Sequence, residues 1–172
     1  HLKKNTVNVI EILPGGVVTR KATAEVTLNE AGEFVYDPKV DLVKVAVVER
    51  HQGTGNVACG FLKGYGIKQG AVALSVAHDS HNIIVVGVND DEMEFAVQTL
   101  IAQEGGIVLV KDKKVVSSMP MPIAGLMSDQ SGEWVDQKLT EIHRKAYEEL
   151  GICGDVEPVM TLCFMSLAVI PE

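Results

Sequence analysis

Apolar and polar positions alternate at the start of the chain. Residues 7–12 alternate, Pro14-Gly15-Gly16 reads as a turn, and 17–28 resumes as a Val- and Thr-rich run, so two strands joined in a hairpin are predicted. Residues 29–32 break that pattern, Phe34, Val35 and Tyr36 make a short extended segment, and 42–48 is a further β-branched run. From Gly53 to Gly70 the alternation dissolves into Gly53, Gly55, Gly60, Gly64, Gly66 and Gly70, a density that favours turns, bulges or close backbone approach. Two apolar strands, 71–77 and 83–86, then flank the polar link His78-Asp79-Ser80-His81-Asn82.

Helical spacing appears only after these strands. Asn89 suits an N-cap, Asp90, Asp91 and Glu92 suit the positive end of a helix dipole, and Met93, Ala96, Val97, Leu100 and Ile101 recur on one helical face up to a stop at Gly105. Residues 107–110 and 115–117 form a hairpin around Asp112-Lys113, followed by a loop with Pro120 and Pro122. A second helix is predicted over about 131–150, with Val135, Leu139, Ile142, Ala146 and Leu150 on its apolar face and Gly151 past its end. Its opposite face is charged, and His143 there reads as a solvated residue without a role. Strands first and helices later, without βαβ alternation, predict an α+β fold: a mixed or antiparallel sheet with about two main helices late in the chain.

Length and composition narrow the function classes. A chain of 172 residues, 47% hydrophobic and 22% charged, is expected to fold as one domain, 1–172. A net charge of −8 and a pI near 5.1 argue against a surface that neutralises phosphates, which excludes nucleic acid as a partner. No apolar run approaches the roughly 20 residues of a membrane span, so no membrane partner is expected. Cys59, Cys153 and Cys163 are an odd, widely spaced set, which fits a reducing cytoplasm better than a disulfide framework. The chain opens on His1, not Met, and runs directly into a strand, so it reads as a piece excised from a longer protein, with His1 native or a tag remnant.

Candidate chemistry is concentrated in few places. Gly53-x-Gly55 has Ala58 at the third glycine position of a dinucleotide motif, and no strand-to-helix context or GxxxxGK[ST] accompanies it, so these read as turn glycines. His78 and His81 form an HxxH beside Asp79, with His51 in the same half. On a strand a spacing of three points two side chains to opposite faces, so these imidazoles converge only if the link is a turn, which the flanking strands predict. A turn's backbone uses one or two Asx or Ser contacts, whereas five consecutive positions here hold two imidazoles, a carboxylate, a hydroxyl and an amide. The bland alternative is an internal network that only positions the turn. Met119, Met121, Met127, Met160 and Met165 read as core fillers or, with Phe164, Leu167, Val169 and Ile170, as an apolar interdomain surface.

The run from Glu49-Arg50-His51 through Gly53-Thr54-Gly55-Asn56, Gly60-Phe61, Lys63-Gly64, Gly70-Ala71 and Ser75-Val76-Ala77-His78-Asp79-Ser80-His81-Asn82 closely resembles the bacterial and archaeal adenine deaminase family. Asn89-Asp90, Pro122-Ile123-Ala124-Gly125-Leu126-Met127-Ser128 and the stretch from Leu162 to Ile170-Pro171-Glu172 resemble that family's C-terminal third. The likeness covers nearly the whole chain and weakens before about Lys44.

What the resemblance implies is an amidohydrolase-type parent, in which an N-terminal (β/α)₈ barrel holds a divalent metal, Mn or Fe, and adenine is hydrolysed to hypoxanthine and ammonia. The superfamily's first ligand pair is an HxH, which this chain lacks, so no metal ligand and no cofactor is assigned here. His78, Asp79 and His81 are the catalytic candidates, and His51, Ser80 and Asn82 are candidates for a purine pocket shared with the barrel. A homo-oligomer is expected as well, because the apolar Met and Phe cluster near the C-terminus favours self-association. Three roles compete: a wall of the pocket, a structural or dimerisation module, and an independent metal-dependent hydrolase.

Overall fold

The computed structural model describes residues 2–15 and 17–167. β1 (Thr6–Ile12) and β2 (Thr19–Glu25) form the expected hairpin, antiparallel from the Thr6–Glu25 pair to the Ile12–Thr19 pair. The run expected over 17–28 divides at Val26, which is buried and donates its N–H to the Asn5 carbonyl; β3 (Thr27–Leu28) then turns away to pair with β4 (Phe34–Val35). β5 (Leu42–Val48) coincides with its β-branched run.

The glycine-rich stretch holds a strand that the sequence pattern hides, β6 (Val57–Lys63), paired with β5 along its whole length. Its alternation is masked because Val57 and Cys59 are exposed and Gly60 has no side chain, so neighbouring strands fix it more than its own burial does. β7 (Ala71–Leu74) stops earlier than expected, and β8 (Ile83–Gly87) follows; both are buried throughout. α1 (Asp90–Ala102) begins where the Asn89 side chain accepts the Glu92 N–H at 2.8 Å. β9 (Gly106–Lys111) and β10 (Lys114–Pro120) make the second hairpin, and α2 (Gly132–Glu148) is capped by the Ser131 hydroxyl. Side-chain caps of this kind contribute about 1 kcal/mol each. α3 (Met160–Met165) lies where only an apolar stretch was legible, since six residues are too few to display a helical period.

The strands form one sheet in the order β10-β9-β7-β8-β5-β6-β1-β2, parallel only between β1 and β6. The mixed-sheet α+β expectation therefore holds. One sheet face carries Val43, Val45, Leu62, Leu74, Ile84 and Leu109 and is closed by α2 through Ile142 and Ala146 and by Tyr65. Each fully buried aliphatic side chain there contributes roughly 1.5–3 kcal/mol. The other face carries Ala71, Ala73, Val85 and Val108 beneath Met93, Ala96, Val97 and Leu100 of α1.

The methionines divide between the core and the surface. Met119 and Met165 are core residues, whereas Met127 and Met160 are exposed; Val169 and Ile170 lie outside the described residues. His143, read as solvated, is instead half-buried and in contact with the Glu157 carboxylate, because the chain after α2 folds back along it. No helix among the described residues is long and apolar enough to cross a membrane.

Candidate functional site

Strand register gathers three loops at one end of the sheet. Val48 at the end of β5 lies opposite Ile83 at the start of β8, Leu74 at the end of β7 lies opposite Ile84 and Ile107, and Gly106 in β9 lies opposite Pro120 in β10. The segments 49–56, 75–82 and 121–127 therefore leave the sheet side by side. α3 joins them, since the His78 N–H donates to the Cys163 carbonyl at 2.7 Å and the Ser166 hydroxyl donates to the His78 carbonyl at 3.3 Å.

The link between β7 and β8 is a turn, as expected. The His81 N–H donates to the Ala77 carbonyl at 2.6 Å, His81 has φ 52°, and the His78–Asp79 peptide is cis. Other elements hold two more of its carbonyls: Arg50 Nε donates to His81 O at 2.5 Å, and His51 Nε2 lies 2.7 Å from Ser80 O, a contact that requires a proton on Nε2. Asn82 is also engaged, its Oδ1 accepting the Arg50 N–H at 3.4 Å and its Nδ2 donating to the Ser80 hydroxyl at 3.3 Å.

Three side chains are left over. Among the described residues, the ring nitrogens of His78 and His81 and the carboxylate of Asp79 make no hydrogen bond, and His81 Nδ1 is buried without a partner. The two imidazoles stand edge to face with centroids 5.3 Å apart, and His78 stacks on Phe164 at 4.9 Å and 23°. Burial, reinforced by the charges of His78 and Arg50, lowers the His81 pKa, with Asp79 opposing. His81 is therefore a neutral imidazole near pH 7.

Arg50 ties this turn to the 121–127 loop, with Nη2 donating to the Ala124 carbonyl at 2.9 Å. Gly125 lies against the guanidinium at φ 73°, and a Cβ there would come within 2.8 Å of Nη1, so the close approach requires glycine. Ser75, fully buried, donates to the Gly125 carbonyl at 2.5 Å and accepts the Gly106 N–H at 2.7 Å. Glu49 closes its own loop by accepting from the N–H groups of Thr54 at 3.0 Å, Gln52 at 2.7 Å and His51 at 2.5 Å, which holds its pKa at about 2. Spacing assigned no role to Glu49, Arg50 or Ser75, although all three lie inside the quoted motifs, and Phe164 was read only as part of an apolar surface. Arg50 acts on partners 31 and 74 residues away, and such separations leave no local signature.

A family model described as the adenine deaminase C-terminal domain matches residues 16–172. The chain belongs to this family. It is 70% identical over 165 residues to adenine deaminase 2 of Desulfotalea psychrophila, covering 96% of this chain and 29% of that protein. It is 49% identical over 172 residues to adenine deaminase of Ligilactobacillus salivarius, covering 100% of this chain and 30% of the relative. Adenine deaminase of Bacillus subtilis is 45% identical over 166 residues, 96% of this chain and 28% of its own length. The chain thus spans under a third of the curated adenine deaminases it matches, as their C-terminal domain. Among the described residues no three His, Cys, Asp or Glu side chains group in a way that could hold a metal ion. His78, Asp79 and His81 form no such group.

Proposed function

We propose that this C-terminal domain forms one wall of the purine pocket of an enzyme that hydrolyses adenine to hypoxanthine and ammonia, with the 78–82 turn facing the preceding barrel. One observation carries the reading. The turn's carbonyls are held by Arg50, His51 and Ser166, and its hydrogen bonds do not use the side chains of His78, Asp79 and His81. A polar turn that served only architecture would use them.

The chemistry needs these types of group. Hydrolysis at C6 of a purine requires a nucleophilic water, and a proton must reach the departing amino group. His81 as a neutral imidazole accepts a proton, the Asp79 carboxylate orients or stabilises a protonated partner, and His78 is held in place by Phe164. Asn82 and His51 fix the turn, and in this reading they act through it. In this reading the divalent metal, Mn or Fe, belongs to the barrel, where it would lower the pKa of a bound water. Three free thiols in the domain support a reducing compartment, the cytoplasm.

The reading of a purely structural module is favoured by one feature, the closed network of Arg50, Asn82 and Ser80 within the site. Incubating the full-length chain with adenine and following hypoxanthine and ammonia tests the activity. Appearance of both is expected, whereas the isolated domain is expected to release neither. Hypoxanthine release by the isolated domain together with one equivalent of bound metal would overturn the accessory-domain reading.

A further inference from the structure

α1 covers only half of its sheet face. It packs on β7, β8 and β9, while the adjoining strands β5 and β6 present the same face without a helix over them. Register sets Val57 beside Val48, Cys59 beside Ala46 and Phe61 beside Lys44 on this face, with Ala46 buried and Phe61 packed edge-on against Phe34 at 5.2 Å. These pairs floor a trough of about 630 Å³ between Met93 and Val97 of α1 and the Phe34 end of the β3–β4 hairpin. Val57 is 56% exposed and Cys59 is also exposed, so a strand in the middle of an eight-stranded sheet shows apolar side chains to solvent. Charge sits at the margin, where Lys44 pairs with Asp90 at 2.6 Å and lies over the Phe34 ring at 5.7 Å.

Burying exposed apolar side chains such as that of Val57 against another segment is favourable. We propose that the trough seats an apolar segment of the part of the adenine deaminase chain that precedes this domain. Two observations choose this occupant over a second copy of the domain. The relatives carry about 70% of their length outside the matched region, and Leu2, through which that preceding chain joins, itself lines the trough, its N–H bonded to the Gly32 carbonyl at 2.9 Å. A segment arriving at Leu2 reaches the floor with little loop to close, which keeps the entropic cost of docking low. The inference rests on family membership and not on the 78–82 turn, which lies at one end of the sheet.

The position of Cys59 on the trough floor supplies the test. In the full-length chain, alkylation by a maleimide is followed peptide by peptide, with exposed Cys153 as the internal comparison and buried Cys163 as the protected limit. Cys59 is expected to react about tenfold or more slowly than Cys153, since an enclosed thiol has little access to the reagent, and to do so at every protein concentration. Val57→Glu is expected to raise the Cys59 rate toward that of Cys153, because a carboxylate in the floor opposes apolar docking. Equal rates in the unsubstituted chain, or no change with Val57→Glu, would overturn the proposal. Protection that disappears on dilution would also overturn it, by assigning the trough to a second copy.

Discussion

Arg50 and His81 are joined by a hydrogen bond of 2.5 Å from the guanidinium Nε to a backbone carbonyl, across 31 residues of sequence. The same guanidinium reaches the Ala124 carbonyl at 2.9 Å, so one side chain sets the distance between two loops. Substituting Arg50→Ala removes both donors and leaves two carbonyls to find water. Charge-assisted hydrogen bonds contribute about 1.5–3 kcal/mol, so a loss of that order is expected in urea unfolding of the domain. Arg50→Lys, with a single point charge in place of the planar fork, is expected to recover less than half of it. A midpoint shift indistinguishable from zero for Arg50→Ala would remove Arg50 from this role.

Glu49 makes a pH prediction. Its folded pKa of about 2 lies below its usual value of 4.5, because the Thr54 and Gln52 N–H groups stabilise the carboxylate. With the folded pKa depressed, the unfolded state binds more protons as pH falls, so the contribution is complete above about pH 4.5 and is lost as pH falls toward 2. The stability difference between the unsubstituted domain and Glu49→Gln should therefore shrink over this window. A difference that stays constant from pH 6 to pH 2 would show that the loop does not depend on the charge.

His81 titrates with the same sign over a different range. Burial and the neighbouring positive groups lower its pKa below 6.5, so the unfolded state again binds the proton first, and the stabilisation present above about pH 6.5 declines as pH falls through it. In NMR titration of the domain, the His81 ring signals should move at lower pH than those of a free histidine. His81 titrating at or above 6.5 would contradict the environment described for it.

Much of the fold was legible because its period is local. β5, the hairpins and both long helices follow alternation, capping at Asn89 and Ser131, and the apolar stripe ending at Leu150. β6 was not legible, because Val57 and Cys59 are exposed and Leu62 is the single fully buried residue of the strand, too little to mark a period. The 78–82 turn was legible as chemically dense, since five polar residues stand in a row. What that density does depends on Cys163, Ser166 and Arg50 taking over the backbone's hydrogen bonds, and those partners come from distant segments. The sequence therefore located the candidates, but not that His51 and Asn82 are bound to the turn's own backbone and side chains while His78, Asp79 and His81 are not.

The central claim, that the side chains left over in this turn act on the purine, is tested most directly by steady-state deamination in the full-length chain carrying Asp79→Ala or His81→Ala. Melting temperatures are measured on the same preparations. Because neither side chain makes a hydrogen bond to the described residues, both variants should melt close to the unsubstituted protein. Turnover should fall about 100-fold or more, the loss typical of a missing acid–base or positioning group. Variants that melt early yet turn adenine over at the normal rate when folded would assign the turn to architecture and contradict the account.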